Sequence, residues 1–490
     1  MNLKLIFISL GLLLTELLTA QDQTTELSLK QVIEIARMES PDAQTARHSF
    51  RSAYWNYKYY RANYLPSLSL TFDPNLNRAI NKITMGDGSV KFVEQNLLNT
   101  DLTLNLSQNL SWTGGSFFLE TSAQRMDLFS EHKYSWQTSP IMIGYRQSLF
   151  GYNSLKWDRR IEPVRYQEAK KSYVETLELV SANAIHKFFA LATAQSDYDI
   201  ASFNYANADT LYRYAQGRYN IGTITENEML QLELNRLTEE TNRMNARIEM
   251  DNCMQELRSY LGIHEDRELR VLVSPQIPDF SVNLNEALAL AYENSPDIQT
   301  MERRKLESES AVAKARANAG LKADIYLRFG LTQTADKLPE AYRNLLDQQY
   351  VSIGISLPIL DWGRGKGQVR VARSNRDLVY TQVEQSRTDF ELNVRKLVKQ
   401  FNLQTQRVRI AVRTDETAQR RSGVARKLYL LGKSTILDLN ASISEKDSAR
   451  RNYISALYNY WSLYYTLRSM TLYDFERNTM LTEDYHLLIE

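Results

Sequence analysis

The chain repeats itself, and it does so at two different distances. The segment LSLKQVIEIARMESPDAQT, beginning at Leu27, returns as VNLNEALALAYENSPDIQT beginning at Val282, a shift of 282 − 27 = 255 residues. Farther along, Ile143-Gly144 ahead of SLFGY matches Ile353-Gly354 ahead of PILDW, and Arg218-Tyr219-Asn220-Ile221-Gly222 matches Leu428-Tyr429-Leu430-Leu431-Gly432. Both of these shifts are 210. Two copies of one structural unit are therefore expected, over 21–275 and 276–473, with a tail at 474–490. The first copy carries 255 − 210 = 45 additional residues between its opening helix and Ile143. A catalytic domain followed by a regulatory one does not produce this pattern.

The chain is also poor in breakers, with 10 Pro and 18 Gly in 490 residues, which implies long elements. Four stretches have a helical pattern: 29–64, 152–260, 284–320 and 363–472. Tyr173, Leu177, Val180, Ala184, Phe188 and Leu191 recur at three- and four-residue spacing, and Val379, Val383, Phe390, Val394, Leu397 and Phe401 keep the same rhythm with one step of seven. A narrow apolar stripe on an otherwise polar helix is the signature of helices packed lengthwise. At ~1.5 Å per residue, the run from Asn153 to Asn220 would extend ~100 Å, too long for a compact domain. Each long run is interrupted once, by Gly222-Thr-Ile-Thr225 and by Gly432-Lys-Ser-Thr435. Glycine can end one helix in a left-handed conformation and the threonine can cap the next, so both sites read as hairpin tips.

Between the helices the period changes to two. Leu68, Leu70 and Phe72 alternate with Ser67, Ser69 and Thr71, and Leu102, Leu104 and Leu106 with Thr103, Asn105 and Ser107. Ile325, Leu327, Phe329 and Leu331 repeat the pattern, as do Val351, Ile353, Ile355 and Leu357. Such segments separate two different solvents: a core and water, or lipid and a wet lumen. Strands are expected near 66–76, 100–111, 115–126 and 140–150 in the first copy and near 324–334 and 350–360 in the second. Loops at 77–99 and 127–139 then share one side, with a tight turn at Trp112–Gly115 on the other. Trp112, Tyr145, Phe150, Tyr350 and Trp362 stand at the strand margins, where amphipathic rings suit a membrane interface. The 45 additional residues account for one extra strand pair.

The opening MNLKLIFISLGLLLTELLTA has the charge, short apolar core and small final residue of a secretory signal peptide at 1–20, cut before Gln21. No later segment supplies the ~20 apolar residues of a spanning helix, so any membrane crossing falls to strands. Cys253 is the single cysteine and cannot form an intrachain disulfide. A net charge of +1 offers no phosphate-binding excess, so no nucleic-acid partner is expected. His48, His132, His186, His264 and His486 lack metal-ligand spacing, and GRGKG at 363–367 lacks the Lys-Ser/Thr of a phosphate loop. No catalytic, cofactor or metal site is expected, and the chain is not read as an enzyme.

The duplicated halves, the SPD near the start of each, SLFGYN and PILDWGRG ahead of the very long helices, and the glycine-marked tips together resemble the TolC-type outer membrane efflux proteins. The resemblance covers about 24–472 and rests on the repeat more than on any one motif. It implies a mainly α fold with a transmembrane β-barrel part: duplicated long helical hairpins forming a trimeric α-barrel, with strands of three chains closing one shared β-barrel. Six strands per chain are expected. Four is the alternative, with the extra hairpin extracellular or plug-like on the family's usual twelve-strand barrel.

The resemblance further implies a passive outer-membrane exit duct reaching into the periplasm, serving a tripartite efflux or type I secretion-like system. Its partners would be a periplasmic adaptor, an inner-membrane pump and outer-membrane lipid. Adaptor contact and gating would fall to Tyr219, Gly222, Thr225 and Glu228 at the first tip and Tyr429, Gly432, Lys433, Ser434 and Asp438 at the second. Asp438 matches an acidic ring, whereas Ser434 stands where the family places a gate arginine. An exported coiled-coil scaffold with soluble sheets is the competing reading.

Overall fold

A computed structural model of the chain describes residues 25–264, 268–431 and 433–489; the expected signal peptide lies outside them. The element order makes the duplication explicit. Strand β1 (Thr25–Ser28) leads into α1 (Leu29–Glu39) and α2 (Pro41–Ala62), followed by β2 (Ser67–Thr84), β3 (Val90–Asn109), β4 (Ser116–Leu128) and β5 (Lys133–Leu149). Helices α3 (Ser154–Asn220) and α4 (Glu226–Leu261) complete the first copy, and β6 (Leu269–Leu272) follows. The second copy has α5 (Leu284–Asn294), α6 (Pro296–Ala319), β7 (Lys322–Ala335), β8 (Leu346–Ser356), α7 (Arg364–Leu430) and α8 (Ile436–Thr471). Short strands β9 (Tyr473–Asp474) and β10 (Thr479–Met480) close the chain. The paired long helices have equal lengths, 67 residues for α3 and α7 and 36 for α4 and α8.

Two expectations need correction. The stretches 29–64 and 284–320 are each two helices, split at Ser40-Pro41 and Ser295-Pro296. Proline at the first helical position restarts a helix, and the serine before it is held extended, at ψ 147° for Ser40 and 138° for Ser295. The segments 77–99 and 127–139 are also not long loops. β2 and β3 stay paired from Ser67↔Ser107 out to Thr84↔Val90, and β4 and β5 out to Leu128↔Lys133. The first turn needs only Met85–Ser89, where Gly88 takes φ 80° and the Asp87 side chain accepts from the Ser89 backbone.

The chain separates into two compact units. One contains the segment up to Arg51, Ala169–Ile298 and Thr388 onward; the other contains Ser52–Glu168 and Gln299–Arg387. In the first, the predicted stripe Tyr173, Leu177, Val180, Ala184, Phe188 and Leu191 is buried, as are Phe390, Val394, Leu397 and Phe401. Phe401 packs on Tyr460 and Tyr464 at 5.4 and 5.9 Å, rings with a large apolar area to bury. β1 pairs in parallel with β6, tying the strand ahead of α1 to the segment after α4. Beneath the tail lies a charged network. Glu178 is fully buried, accepts from Arg37 at 2.7 Å and from Arg468 at 3.1 Å, while Arg468 also reaches Asp474 at 3.1 Å. Burial opposes the Arg468 charge, but Glu178 and its neighbours outweigh it and hold the guanidinium ionised.

The second unit is built on one antiparallel sheet in the order β2-β3-β4-β5-β7-β8, leaving β2 and β8 as edges. One face is apolar across all six strands, with Leu68, Phe72, Leu104, Leu119, Ile143, Phe329 and Ile353 exposed on it. The opposite face carries the Glu120–Arg328 ion pair at 3.1 Å and a row of rings, Phe118 on Tyr326 and Tyr326 on Tyr350. β2 and β7 begin 322 − 67 = 255 residues apart, whereas α3 and α7 begin 364 − 154 = 210 apart. The additional residues thus fall in the β3–β4 part of the first copy.

Candidate functional site at the helical tips

Both hairpin tips are built by the same local chemistry. At the first, α3 ends at Asn220, and Gly222 at φ 73° lets its amide donate to the Tyr219 carbonyl at 2.8 Å. The Thr223 amide and hydroxyl both donate to the Arg218 carbonyl at 2.9 Å, satisfying acceptors the helix end leaves open. Thr225 then caps α4: its amide donates to Glu228 Oε2 at 2.9 Å, and the Glu228 amide donates to Thr225 Oγ1 at 3.3 Å.

The second tip repeats this 210 residues later. The Lys433 amide donates to the Leu428 carbonyl at 2.9 Å, and Thr435 caps α8. Asp438 accepts from the Thr435 hydroxyl at 2.7 Å and the Ser434 hydroxyl at 3.3 Å, and its amide donates to Thr435 Oγ1 at 3.2 Å. The Thr435 hydroxyl and amide, followed by Ser434, hold the Asp438 carboxyl below the usual carboxylate range, so it stays ionised.

The predicted residues therefore form two self-contained clusters, Tyr219–Gly222 with Thr225–Glu228, and Lys433, Ser434 and Thr435 with Asp438. Tyr429 is half-buried in the last turn of α7, and Gly432 lies outside the described residues. Ile221, Leu431 and Leu437 beside these clusters are strongly exposed, so each tip presents aliphatic side chains next to a capped carboxylate. The caps fix where the carboxylates sit.

Deeper along the helices are contacts that periodicity did not reveal. Arg451 reaches Asp197 at 2.7 Å and Asn204 donates to Asp447 at 2.9 Å, joining α3 to α8 across the two copies. Phe203 lies between two cations, Lys446 at 4.8 Å and Arg426 at 5.7 Å. Asp415 is almost fully buried, with Arg450 at 3.3 Å and Gln419 at 3.0 Å on one oxygen. The only available sequence signal was spacing: 197 and 204 are seven apart and 447 and 451 four apart, placing each pair on one helix face. Among the described residues there is no group of three or more His, Cys, Asp or Glu able to hold a metal ion, and no helix long and apolar enough to cross a membrane.

The family model described as "Outer membrane efflux protein" matches residues 32–263 and 287–471. Among solved structures, the chain resembles the Campylobacter jejuni CmeC outer membrane channel at 15% identity and a TM-score of 0.67, covering 94% of this chain and 88% of that one. VceC from Vibrio cholerae gives 14% identity and 0.62, covering 90% and 95%. CusC, whose structures concern transmembrane channel formation, gives 14% and 0.61, covering 93% and 95%. No curated protein matches the chain.

Proposed function

Because the chain belongs to the outer membrane efflux protein family, we infer that it is an outer membrane channel extending into the periplasm, the exit duct of a tripartite efflux system. The observation that carries this reading is the six-stranded sheet. Its apolar face is uncovered from Leu68 to Ile355, its other face bears charge and hydroxyls, and both edges are open. In a bilayer every unpaired edge amide and carbonyl costs several kcal/mol, so such a sheet must close on other copies. With six strands each, three copies supply 3 × 6 = 18 strands, a wider barrel than the family's usual one. A soluble scaffold would instead need a second layer over Leu70, Phe72, Ile353 and Ile355, all of which are exposed.

The chain acts as a passive conduit. Transport energy comes from the inner-membrane pump, and the duct contributes a water-filled path whose lining exchanges hydrogen bonds with passing solutes. The tips face the adaptor: Tyr219, Gly222, Thr225 and Glu228 on one hairpin and Tyr429, Gly432, Lys433, Ser434 and Asp438 on the other. Asp438 is ionised and exposed, which supports the reading that three copies contribute a ring of carboxylates that narrows the entrance and attracts cations. Lys433 and Ser434 stand where an arginine lock would, so adaptor docking works against a weaker closure. Planar-bilayer recording of the purified protein tests the reading. Discrete conductance steps are expected; a signal-less chain that stays monomeric and soluble at high concentration without detergent overturns it.

A further inference from the structure

Along β2 and β3 the polar face of the sheet carries short side chains, Ser67, Ser69 and Thr71 against Ser107, Asn105 and Thr103. From β4 to β8 the same face carries three rings, Phe118, Tyr326 and Tyr350, and the strand register explains how they meet. Phe118 stands opposite Gly144, Arg146 opposite Tyr326, and Arg328 opposite Tyr350. A Cβ on Gly144 would collide with the Phe118 ring at Cζ, Cε1 and Cε2, so this ring lies across β5 where that strand has no side chain. It thereby reaches Tyr326 on β7, one strand farther on. The ring centres of Phe118 and Tyr326 are 5.9 Å apart with planes inclined by 22°, and those of Tyr326 and Tyr350 are 5.8 Å apart.

Charge beside this row is unequal. Arg328 donates to Glu120 at 3.1 Å, so that pair cancels itself. Arg146 is exposed, its guanidinium stands 5.5 Å over the Tyr326 ring, and among the described residues it has no carboxylate partner. A guanidinium held over a ring keeps its N–H fork free for an oxyanion, and the open ring faces favour a flat apolar body. We propose that Phe118, Tyr326, Tyr350 and Arg146 form a contact site on the duct wall for flat aromatic anions. The solute ring stacks on Tyr326 and Tyr350, which Phe118 supports from behind, while the oxyanion pairs with Arg146.

The two faces of the sheet make the contrast plain. On the apolar face Phe117 and Tyr145 also meet, with centres 4.7 Å apart, and lipid covers them there. On the polar face water takes the place of lipid, and Tyr350 is 54% exposed to it. Rings that pair across strands stiffen a sheet, which is the simplest role for this row. That role does not call for an uncompensated guanidinium over the middle ring, and it does not call for a glycine that lets Phe118 cross β5. A duct also needs its wall contacts to be weak, because a solute that enters must leave again. Stacking on an open ring with one ion pair in water meets that requirement, whereas an enclosed pocket would retain the solute.

This rests on the channel reading, and the test separates the two. The purified full-length protein is recorded in planar bilayers while naphthalene-2-sulfonate is added to either side, with cyclohexanesulfonate and methanesulfonate as anions of equal charge that lack a flat ring. Naphthalene-2-sulfonate should reduce the open current at a concentration at least ~5-fold below that of the other two. Tyr326→Ala and Arg146→Gln should each raise its half-blocking concentration ~5-fold or more while conductance steps persist. Should Tyr326→Ala fail to assemble, the exposed Tyr350→Leu, which keeps apolar volume and loses the ring, replaces it. A purely structural row would lower the unfolding midpoint in these variants and leave block unmoved, which overturns the site. Equal block by all three anions, or no block, also overturns it and leaves the channel reading standing. Absence of any conductance step overturns the channel reading and the site with it.

Discussion

Glu178→Gln is the substitution that most directly probes what holds the described helices to the C-terminal tail. The carboxylate is fully buried between two guanidiniums, and the Arg468 side chain that faces it is itself only 11% exposed. Arg468 Nε lies 2.8 Å from Glu178 Oε2 without hydrogen-bond alignment, so that contact is coulombic, and the Arg468 Nη2 and Arg37 Nη1 bonds supply the directional part. Removing one partner of a buried ion pair costs about 3–5 kcal/mol, because the other charge stays buried. Here each arginine keeps a second carboxylate, Glu483 at 2.7 Å for Arg37 and Asp474 at 3.1 Å for Arg468, which brings the expected loss to about 2–3 kcal/mol. Urea unfolding of the detergent-solubilised protein, followed by tryptophan fluorescence, measures it. Glu178→Leu combined with Arg468→Leu should not recover the loss, since it leaves the buried Asp474 carboxylate without its guanidinium. A loss below about 1 kcal/mol for Glu178→Gln would refute the reasoning that the charge, rather than the shape, of this side chain is what the site requires.

Asp438→Asn keeps an acceptor for Thr435 but removes the charge, so cation block of the channel in planar bilayers should weaken; identical block would dismiss the acidic-ring role. Burial, helped by the Asp297 carboxylate, pushes Glu175 up to about 7 from an ordinary 4.5, so the stability it contributes is full below that ordinary value and is lost as pH rises through about 7. Glu175→Gln should therefore be more stable than the parent by ~1–2 kcal/mol at pH 8 and nearly equal at pH 4, measured by urea titration at both. A Cβ on Gly330 would sit 2.2 Å from the Ile141 carbonyl and 2.8 Å from Met142 Cα, backbone atoms of the paired strand, so Gly330→Ala should cost more than ~2 kcal/mol. Gly354→Ala, with nothing within 4 Å, should be tolerated in the same assay.

What the sequence disclosed and concealed follows from the range of the interactions concerned. The stripe Tyr173 to Leu191 was legible because helical burial imposes a local period, and the tips because glycine and capping threonine act within four residues. The helix restarts at Pro41 and Pro296 were hidden, since proline at a first helical position leaves the surrounding apolar rhythm unbroken. The outer halves of β2 and β3 read as loop in the sequence because the alternation fails there: Arg78, Lys82 and Glu94 occupy the face that Leu68 to Leu76 keep apolar, while the backbone ladder continues regardless. Contacts such as Arg451–Asp197, 254 residues apart, have no local signature. The equal length of α3 and α7, by contrast, was legible because the motifs at both of their ends recur at one shift of 210.

The most direct test of the account is an electron-microscopy reconstruction of the assembled protein in lipid nanodiscs, read for the strands that cross the membrane. Three copies contributing β2, β3, β4, β5, β7 and β8 to one wall predict eighteen strands, with β8 of each copy beside β2 of the next. A twelve-strand wall with a hairpin folded outside or inside it would contradict the account.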